Sequence, residues 1–345
     1  MTEPVLRGAV VGLGVMGTHH ARVLSSLEGV ELCAVVDPDE HRRQGVARLN
    51  SGARTYSSLA DALAAEPLDF ACIAVPVEQL PVVAGEAIAA GVHVLVEKPT
   101  APSEEQTRAL ITEARERGVL LGVGHIERSN PAVRALKQRV DDGAIGRVLH
   151  LHARRLSPFP NRQGARGVAL DLATHDIDVI RYVTGQEVAR VFAETAAPLS
   201  GTREDILCAT LRLDDGSMAL LETNWMTPTK VRQISVLGEQ GMLVVDYLTQ
   251  DLFLYEHPTR ATEWDQLAGI RGGGEGDMIR FALDRREPLR VQWEEFLDAL
   301  RAGGPAPIGG HDGLAALSTA RAITLSAERH ETVVPAYREV SHAVA

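Results

Sequence analysis

A chain of 345 residues is longer than one hydrophobic core usually fills, so two domains of ordinary size are expected. Apolar residues make up 45% and charged residues 23%, which excludes disordered and fibrous classes and leaves a packed enzyme or binding protein. The formal net charge of −11 opposes attraction to a phosphate backbone, so no nucleic-acid partner is expected.

The first third alternates short β-branched runs with helical patterns. Residues 5–11, 31–37, 70–75 and 92–97 read as strands, near-continuously apolar as strands buried on both faces must be. Helix-forming stretches lie around 19–26, 59–65, 80–90 and 104–117, the last opened by Ser103 with Gln106 as capping-box partner. This alternation predicts an α/β fold that begins with a doubly wound parallel sheet of Rossmann type over residues 1–124. After the short run 120–124 the pattern changes. A helix over 131–140 opens on Asn130 and a proline, a strand covers 147–156, and a helix over 168–182 is closed by Gly185. Strands then follow closely from 188 to 255, with Asp214-Asp215-Gly216 as a hairpin turn between 208–213 and 218–223. Successive strands without intervening helices predict a mostly antiparallel sheet, so 125–345 is expected to be a second α/β domain. Residues 258–288, with Gly272-Gly273-Gly274, read as a long loop with short helical pieces, and helices over 291–302 and 312–329 close the chain.

Three cysteines, Cys33, Cys72 and Cys208, are widely spaced and suggest neither a disulfide framework nor a structural zinc site. No apolar run approaches the roughly 20 residues that span a bilayer. A first strand beginning near residue 5 leaves no room for a signal peptide, so no membrane association and a cytoplasmic location are expected.

Gly12-Leu13-Gly14-Val15-Met16-Gly17 matches G-x-G-x-x-G, follows a strand and opens a helix, and Asp37 ends the next strand 20 residues after Gly17. Gly12 then makes the tight turn, Gly14 admits the pyrophosphate, and Gly17 allows close helix–strand packing. The Asp37 carboxylate accepts from ribose hydroxyls and repels an extra phosphate, which favours NAD over NADP. Arg42 and Arg43 nearby read as a solvated helix face. Val75 and Pro76 at the end of the third strand, and Glu97 and Lys98 at the end of the fourth, are further cofactor candidates at the edge where ligands bind in such sheets.

Lys98 is one of three lysines beside 32 arginines. Its compact ammonium, whose pKa shifts on burial, suits polarising an alcohol oxygen. Asp171 and His175 lie four apart on one helix face, where the carboxylate can orient an imidazole acting as general base.

The fingerprint, Glu97-Lys98-Pro99 and the Asp171…His175 helix together resemble the Gfo/Idh/MocA oxidoreductases over essentially the whole chain. The resemblance implies that Lys98, Asp171 and His175 form the catalytic group. It also implies that residues 125 to about 330 form a large open sheet, one face toward the active site and the other toward a partner subunit, giving a homodimer or homotetramer. The chain has Leu80 where the family often carries a histidine, a departure that leaves the catalytic trio intact. Within the family, residues 124–131, the stretches 153–155 and 158–160, and residues 246–250 look like UDP-N-acetylglucosamine 3-dehydrogenases and related sugar 3-dehydrogenases of aminoglycoside pathways. Inositol dehydrogenases share the His-Asp-Ile-Asp run at 175–178. His125, Glu127, Arg128, Arg155, Arg166, Asp178 and Trp225 are the substrate-binding candidates.

His19-His20 and the pair His150 and His152 lack carboxylate or cysteine partners at ligand spacing, so no metal is expected. Arg154, Arg155, Arg162 and Arg166 form a basic stretch that would suit a diphosphate clamp, or else a solvated loop. Trp225 and Tyr247 offer rings that could stack on a sugar, or pack in a sheet. Two functions of different class follow. One is NAD-dependent oxidation of a secondary ring hydroxyl, at carbon 3 of a UDP-linked N-acetylhexosamine, with an aminoglycoside or amino-sugar intermediate or a cyclitol as alternative substrate. The other is a catalytically silent NAD-binding sensor or scaffold, which has no need of all three of Lys98, Asp171 and His175.

Overall fold

The computed structural model describes residues 4–50, 52–160, 166–257 and 276–338, and the chain divides into two compact units. The first comprises residues up to Ile126 together with Glu287–Leu317; the second comprises Glu127–Arg286 and the chain from Ser318 onward. The first unit is thus discontinuous, whereas the sequence had placed everything after residue 124 in the second domain.

In the first unit, strands β1 (Leu6–Val11), β2 (Val30–Val36), β3 (Arg54–Tyr56), β4 (Phe70–Ile73), β5 (His93–Val96) and β6 (Leu121–Val123) form one parallel sheet in the order β3-β2-β1-β4-β5-β6. Alternate residues point to opposite faces, so each face is apolar and each needs helices. Ala9, Val11, Ala71, Ile73, Val94 and Val96 pack on one side with residues of α3 (Leu59–Ala65), α4 (Leu80–Ala89) and α5 (Glu104–Arg117). Ser103 caps α5 through Gln106 N–H, as its spacing predicts. On the other side Val10, Val35, Phe70, Cys72 and Leu95 meet α1 (Val15–Leu24) and α2 (Glu40–Leu49). That face is completed by α8 (Pro288–Ala302), whose Leu289, Trp293, Phe296 and Leu297 join the same core. A short local pattern cannot show which sheet face a late helix will cover, and for this reason the sequence assigned α8 to the wrong unit.

A 3₁₀ turn at Ile126–Ser129 spans the division, and the second unit holds α6 (Pro131–Asp141), β7 (Val148–Leu156), a π-helical turn at Ala169–Ala173 continuing into α7 (Thr174–Thr184), and strand β8 (Val188–Ala196). Strands β9 (Ile206–Leu213) and β10 (Met218–Asn224) are joined at Asp214–Ser217, where the hairpin turn is expected. With β11 (Val231–Gly238), β12 (Gly241–Asp246), β13 (Asp251–Glu256) and β14 (Met278–Phe281) they make an eight-stranded sheet ordered β14-β13-β12-β11-β7-β10-β9-β8. Only β7 and β10 run parallel, so the sheet is mostly antiparallel, as the run of strands predicts. Gly185 closes α7 in the left-handed conformation and Asn130 caps α6 through Ala132 N–H. The last helix is α9 (Gly310–Arg329). Most of the loop expected over 258–288, including Gly272-Gly273-Gly274, lies outside the described residues; its described end is β14, a strand the sequence reading did not anticipate. No helix among the described residues is long and apolar enough to cross a membrane.

Candidate active site

The C-terminal edge of the six-stranded sheet gathers the cofactor candidates of the first unit. Sheet order reverses between β2-β1 and β4, which is where open α/β sheets bind ligands. Gly12 has φ +87°, and a Cβ there would lie 2.6 Å from the Ala74 carbonyl oxygen; one on Gly17 would lie 1.8 Å from the Gly12 carbonyl oxygen. Both glycines are therefore required by packing. Gly14 is different: a Cβ there would meet nothing within 4 Å, which leaves its backbone open to an approaching ligand. No side chain caps α1 at Gly14, so its first N–H groups remain for an anion, and Val15 and Met16 beside them are exposed. Val75 is half-buried and Pro76 exposed at the end of β4.

Asp37 is buried, and its carboxylate ties the fingerprint loop to the end of β2. One oxygen accepts from Leu13 N–H at 2.7 Å and the other from Asp39 N–H at 2.9 Å. Arg42 Nη1 lies 4.0 Å from the same carboxylate, and Arg43 Nη1 donates to the Asp37 carbonyl at 2.6 Å. Arg43 folds back on the turn, while Arg42 stays exposed, as a solvated helix face requires. At the end of β5, Glu97 Oε1 is 2.9 Å from His20 Nε2, and Glu97 Oε2 accepts from Lys98 N–H at 3.3 Å. Lys98 is half-buried and its bond to Pro99 is cis. His125, just past β6, is buried. An open glycine-lined backbone, an uncapped helix start and carboxylates at the ends of β2 and β5 fit a dinucleotide: the loop for its phosphates, Asp37 and Glu97 for its hydroxyls.

In the second unit, Asp171 and His175 sit at the join between the π-helical turn and α7. Such turns widen a helix locally and recur at functional sites. Asp171 is nearly buried and accepts from Arg166 N–H at 3.2 Å, while His175 is half-exposed one turn on. The start of this helix is held from outside. Glu204 Oε1 accepts from Ala169 N–H at 3.1 Å, and the Glu204 carbonyl accepts from Val168 N–H. Burial raises the Glu204 carboxyl above its ordinary range.

The other substrate candidates fall into ion pairs or the interior. Arg155 is buried and donates to both Asp176 oxygens, at 2.7 and 3.0 Å, and to Glu127 at 3.0 Å. Burial opposes its charge, but Asp176 and Glu127 more than offset this and hold the guanidinium above its usual range. Burial likewise pushes the Asp176 carboxyl up against the pull of Arg155. Close by, burial and Arg155 lower Arg232 to about 10. Arg128 makes a two-pronged pair with the buried Asp178 at 2.6 and 2.7 Å. Trp225 is 3% exposed and packs edge-on to Phe159, and Tyr247 is buried with its ring 5.5 Å from the Arg155 guanidinium.

The diphosphate clamp is thus corrected. Arg155 is committed to internal carboxylates, Arg154 pairs with Glu222 at 3.1 Å, and Arg162 lies outside the described residues. Arg166 is half-buried, with its N–H beside Asp171. The reading of Trp225 as a stacking platform gives way to packing for the same reason, since its ring is covered. Of the four histidines considered and set aside as ligands, His152 lies 3.6 Å from Glu222, and no group of three metal-ligating side chains converges among the described residues.

Residues 6–125 match the oxidoreductase family with an NAD-binding Rossmann fold, and residues 133–244 match the GFO/IDH/MocA C-terminal domain. The chain is 31% identical over 323 residues to UDP-N-acetylglucosamine 3-dehydrogenase of Acidithiobacillus ferrooxidans, covering 94% of this chain and 97% of that one. The chain belongs to the Gfo/Idh/MocA family of oxidoreductases. It is also 33% identical over 334 residues to the myo-inositol dehydrogenase Hyg17 of Streptomyces leeuwenhoekii, covering 92% of this chain and 97% of the relative. The solved structure of the A. ferrooxidans UDP-N-acetylglucosamine 3-dehydrogenase GnnA superposes with a TM-score of 0.84 at 29% identity, over 94% of this chain and 98% of that one. These relatives place this Gfo/Idh/MocA oxidoreductase among the NAD-dependent sugar and polyol dehydrogenases.

In this family member, three residues that support the site escaped the sequence reading. Glu204 sits in a connection between strands, 33 residues from Asp171, and carries no local signal. Asp176 carries no local sign that Arg155 waits beneath it. His20 had a usable sign: it lies three residues past Gly17, on the face of α1 that turns to the sheet.

Proposed function

We propose that this chain oxidises a secondary hydroxyl at carbon 3 of a UDP-linked N-acetylhexosamine, using NAD. The observation that carries the proposal is the full-length similarity to a UDP-N-acetylglucosamine 3-dehydrogenase, in sequence and in fold. A bound nicotinamide would supply the hydride acceptor. The residues of this chain then have separate tasks. His175 takes the hydroxyl proton, Asp171 orients it, and Lys98 polarises the substrate oxygen. The fingerprint loop, Val75, Pro76 and Glu97 bind cofactor, and His125, Glu127, Arg128, Arg166 and Asp178 shape the sugar site, with Glu127, Arg128 and Asp178 held by ion pairs.

A cyclitol is the second reading, favoured by the comparable identity to a myo-inositol dehydrogenase. The commitment of Arg155 to the buried Asp176, and the pairing of Arg154 with the half-exposed Glu222, also weaken the charge argument for a diphosphate. Comparing kcat/KM for UDP-N-acetylglucosamine, myo-inositol and an aminoglycoside with an oxidisable amino-sugar ring, read as NADH formation, decides between them. At least tenfold preference for the UDP-sugar is expected; preference for the cyclitol or the cation overturns the substrate assignment. NADH formation with none of the three, despite NAD binding, would favour a silent sensor.

NAD should be preferred because Asp37 repels the additional phosphate of NADP. In Asp37→Ser the repulsion goes, and Arg42 is released toward the same place, while Arg43 keeps its backbone carbonyl partners. The ratio of NAD to NADP affinity is expected to fall by about tenfold or more, at a charge-assisted hydrogen bond's worth per lost contact. Titration of both cofactors against parent and variant measures it, and an NADP preference in the parent would refute the role of Asp37. The outer side of the eight-stranded sheet carries Phe192, Met218 and Tyr255 exposed on β8, β10 and β13. This face is assigned to a second copy of the chain, in a homodimer or homotetramer, and light scattering that reads a monomer would reject it.

A further inference from the structure

His20 is completely buried at the middle of the first unit, between the fingerprint helix α1, the end of β5 and α8. Both of its ring nitrogens are engaged. Trp293 Nε1 lies 2.8 Å from Nδ1, and Glu97 Oε1 lies 2.9 Å from Nε2. An indole N–H can only donate, so Nδ1 must be the bare, accepting nitrogen. A carboxylate can only accept, so the single ring proton belongs on Nε2 and is given to Glu97. The two neighbours specify the same neutral tautomer.

Charge considerations agree with this tautomer. Burial opposes a charge on the ring, and a Cys72 thiolate together with Glu97 would overcome it and lift the imidazole to about 10. But burial also raises the Cys72 thiol, which therefore stays protonated and contributes no negative charge. A second ring proton would moreover face the indole N–H head on.

Packing leaves this chain little freedom. Trp293 is itself fully buried, edge-on to His20 and to Phe296 with ring centroids 5.6 Å away in each case, and tilted against Phe70 at 5.5 Å. On the far side of Glu97, Gly124 comes so close that a Cβ there would stand 3.2 Å from the carboxylate. Glu97 is thus held on one oxygen by His20, reached on the other by Lys98 N–H, and walled by Gly124.

We propose that His20 is a positioning residue of the dinucleotide site: locked by Trp293 as the Nε2–H tautomer, it orients the Glu97 carboxylate to accept hydroxyl groups from the nicotinamide half of the cofactor. The proposal rests on the NAD reading above. It connects three segments far apart in sequence, because α8 supplies the residue that sets the proton of α1, and α1 sets the acceptor beside Lys98.

The test needs no turnover. Long-range ¹⁵N–¹H spectra of the parent should show one histidine as a neutral Nε2–H ring whose signals are unmoved from pH 6 to 9, and which disappears in His20→Gln. NADH affinity, read by its fluorescence, is expected to fall about tenfold in His20→Phe and to recover most of the way in His20→Gln, whose amide nitrogen can stand where Nε2 stood. Trp293→Phe keeps an aromatic ring but not the donor, and should lose about threefold while freeing the His20 signals to titrate. Binding of 5′-AMP, which uses only the Asp37 half, should be unchanged in all three. Equal loss of AMP and NADH binding, unchanged NADH binding in His20→Phe, or an Nδ1–H or charged ring in the parent overturns the proposal alone. A parent that binds neither ligand overturns the NAD reading, and the proposal with it.

Discussion

Replacing His175 with alanine is expected to lower turnover about 100-fold or more while leaving NADH affinity within about threefold of the parent. The imidazole is half-exposed at the join of the π-helical turn with α7, where it can meet a substrate hydroxyl. Asp171→Asn and Lys98→Ala should act in the same direction. Asp171→Asn keeps the size and an acceptor for Arg166 N–H, so a loss there reports the carboxylate charge rather than the start of the helix. Steady-state rates with the substrate that the comparison above selects, beside NADH titrations of each variant, make the measurement. Turnover like that of the parent in His175→Ala would remove the proton-acceptor assignment.

Arg155→Ala is expected to destabilise the second unit by about 3–5 kcal/mol, because it leaves Asp176, with no exposed surface, as a charge without its partner. For a unit of this size that corresponds to a fall in melting temperature of roughly 10 °C. Arg155→Met with Asp176→Leu should recover much of the loss, since a buried ion pair replaced by apolar groups of similar volume is often neutral. Thermal unfolding followed by circular dichroism gives the readout. A melting temperature unchanged in Arg155→Ala, joined to selective loss of UDP-sugar activity, would restore the clamp that the internal pairing argues against.

Strand and helix placement was largely legible because β1, β2, β4 and β5 are buried on both faces and α4 and α5 have clear limits. Helix α2 and strand β3 were not: α2 has a single buried residue, Val46, and β3 is only three residues long, so neither imposes a periodic apolar pattern. The fingerprint glycines could be read individually, since each constraint is local: the backbone either turns at Gly12, is crowded at Gly17, or is open at Gly14. Arg155 was misread for the opposite reason. Its neighbours in sequence, Arg154 and Leu156, give no sign of a carboxylate partner, whereas its neighbours in space are Asp176, Glu127 and the Tyr247 ring, brought from 28 residues before to 92 after it.

By itself the sequence determined the parallel nucleotide-binding sheet, the antiparallel character of the second sheet, the fingerprint loop, and the residue types available for alcohol oxidation. These follow from periodicities of two and 3.6 and from spacings within about 20 residues, which the chain sets locally. Tertiary structure alone decided that residues 287–317 return to the first unit, that the charge of Arg155 is spent inside the second, that Glu204 anchors the helix of Asp171 and His175, and that Trp293 fixes the proton of His20. Each of these is a pairing of distant segments through burial: an apolar helix face must find a sheet to cover, a buried polar group must find a partner, and which one it finds depends on the packing of the whole unit.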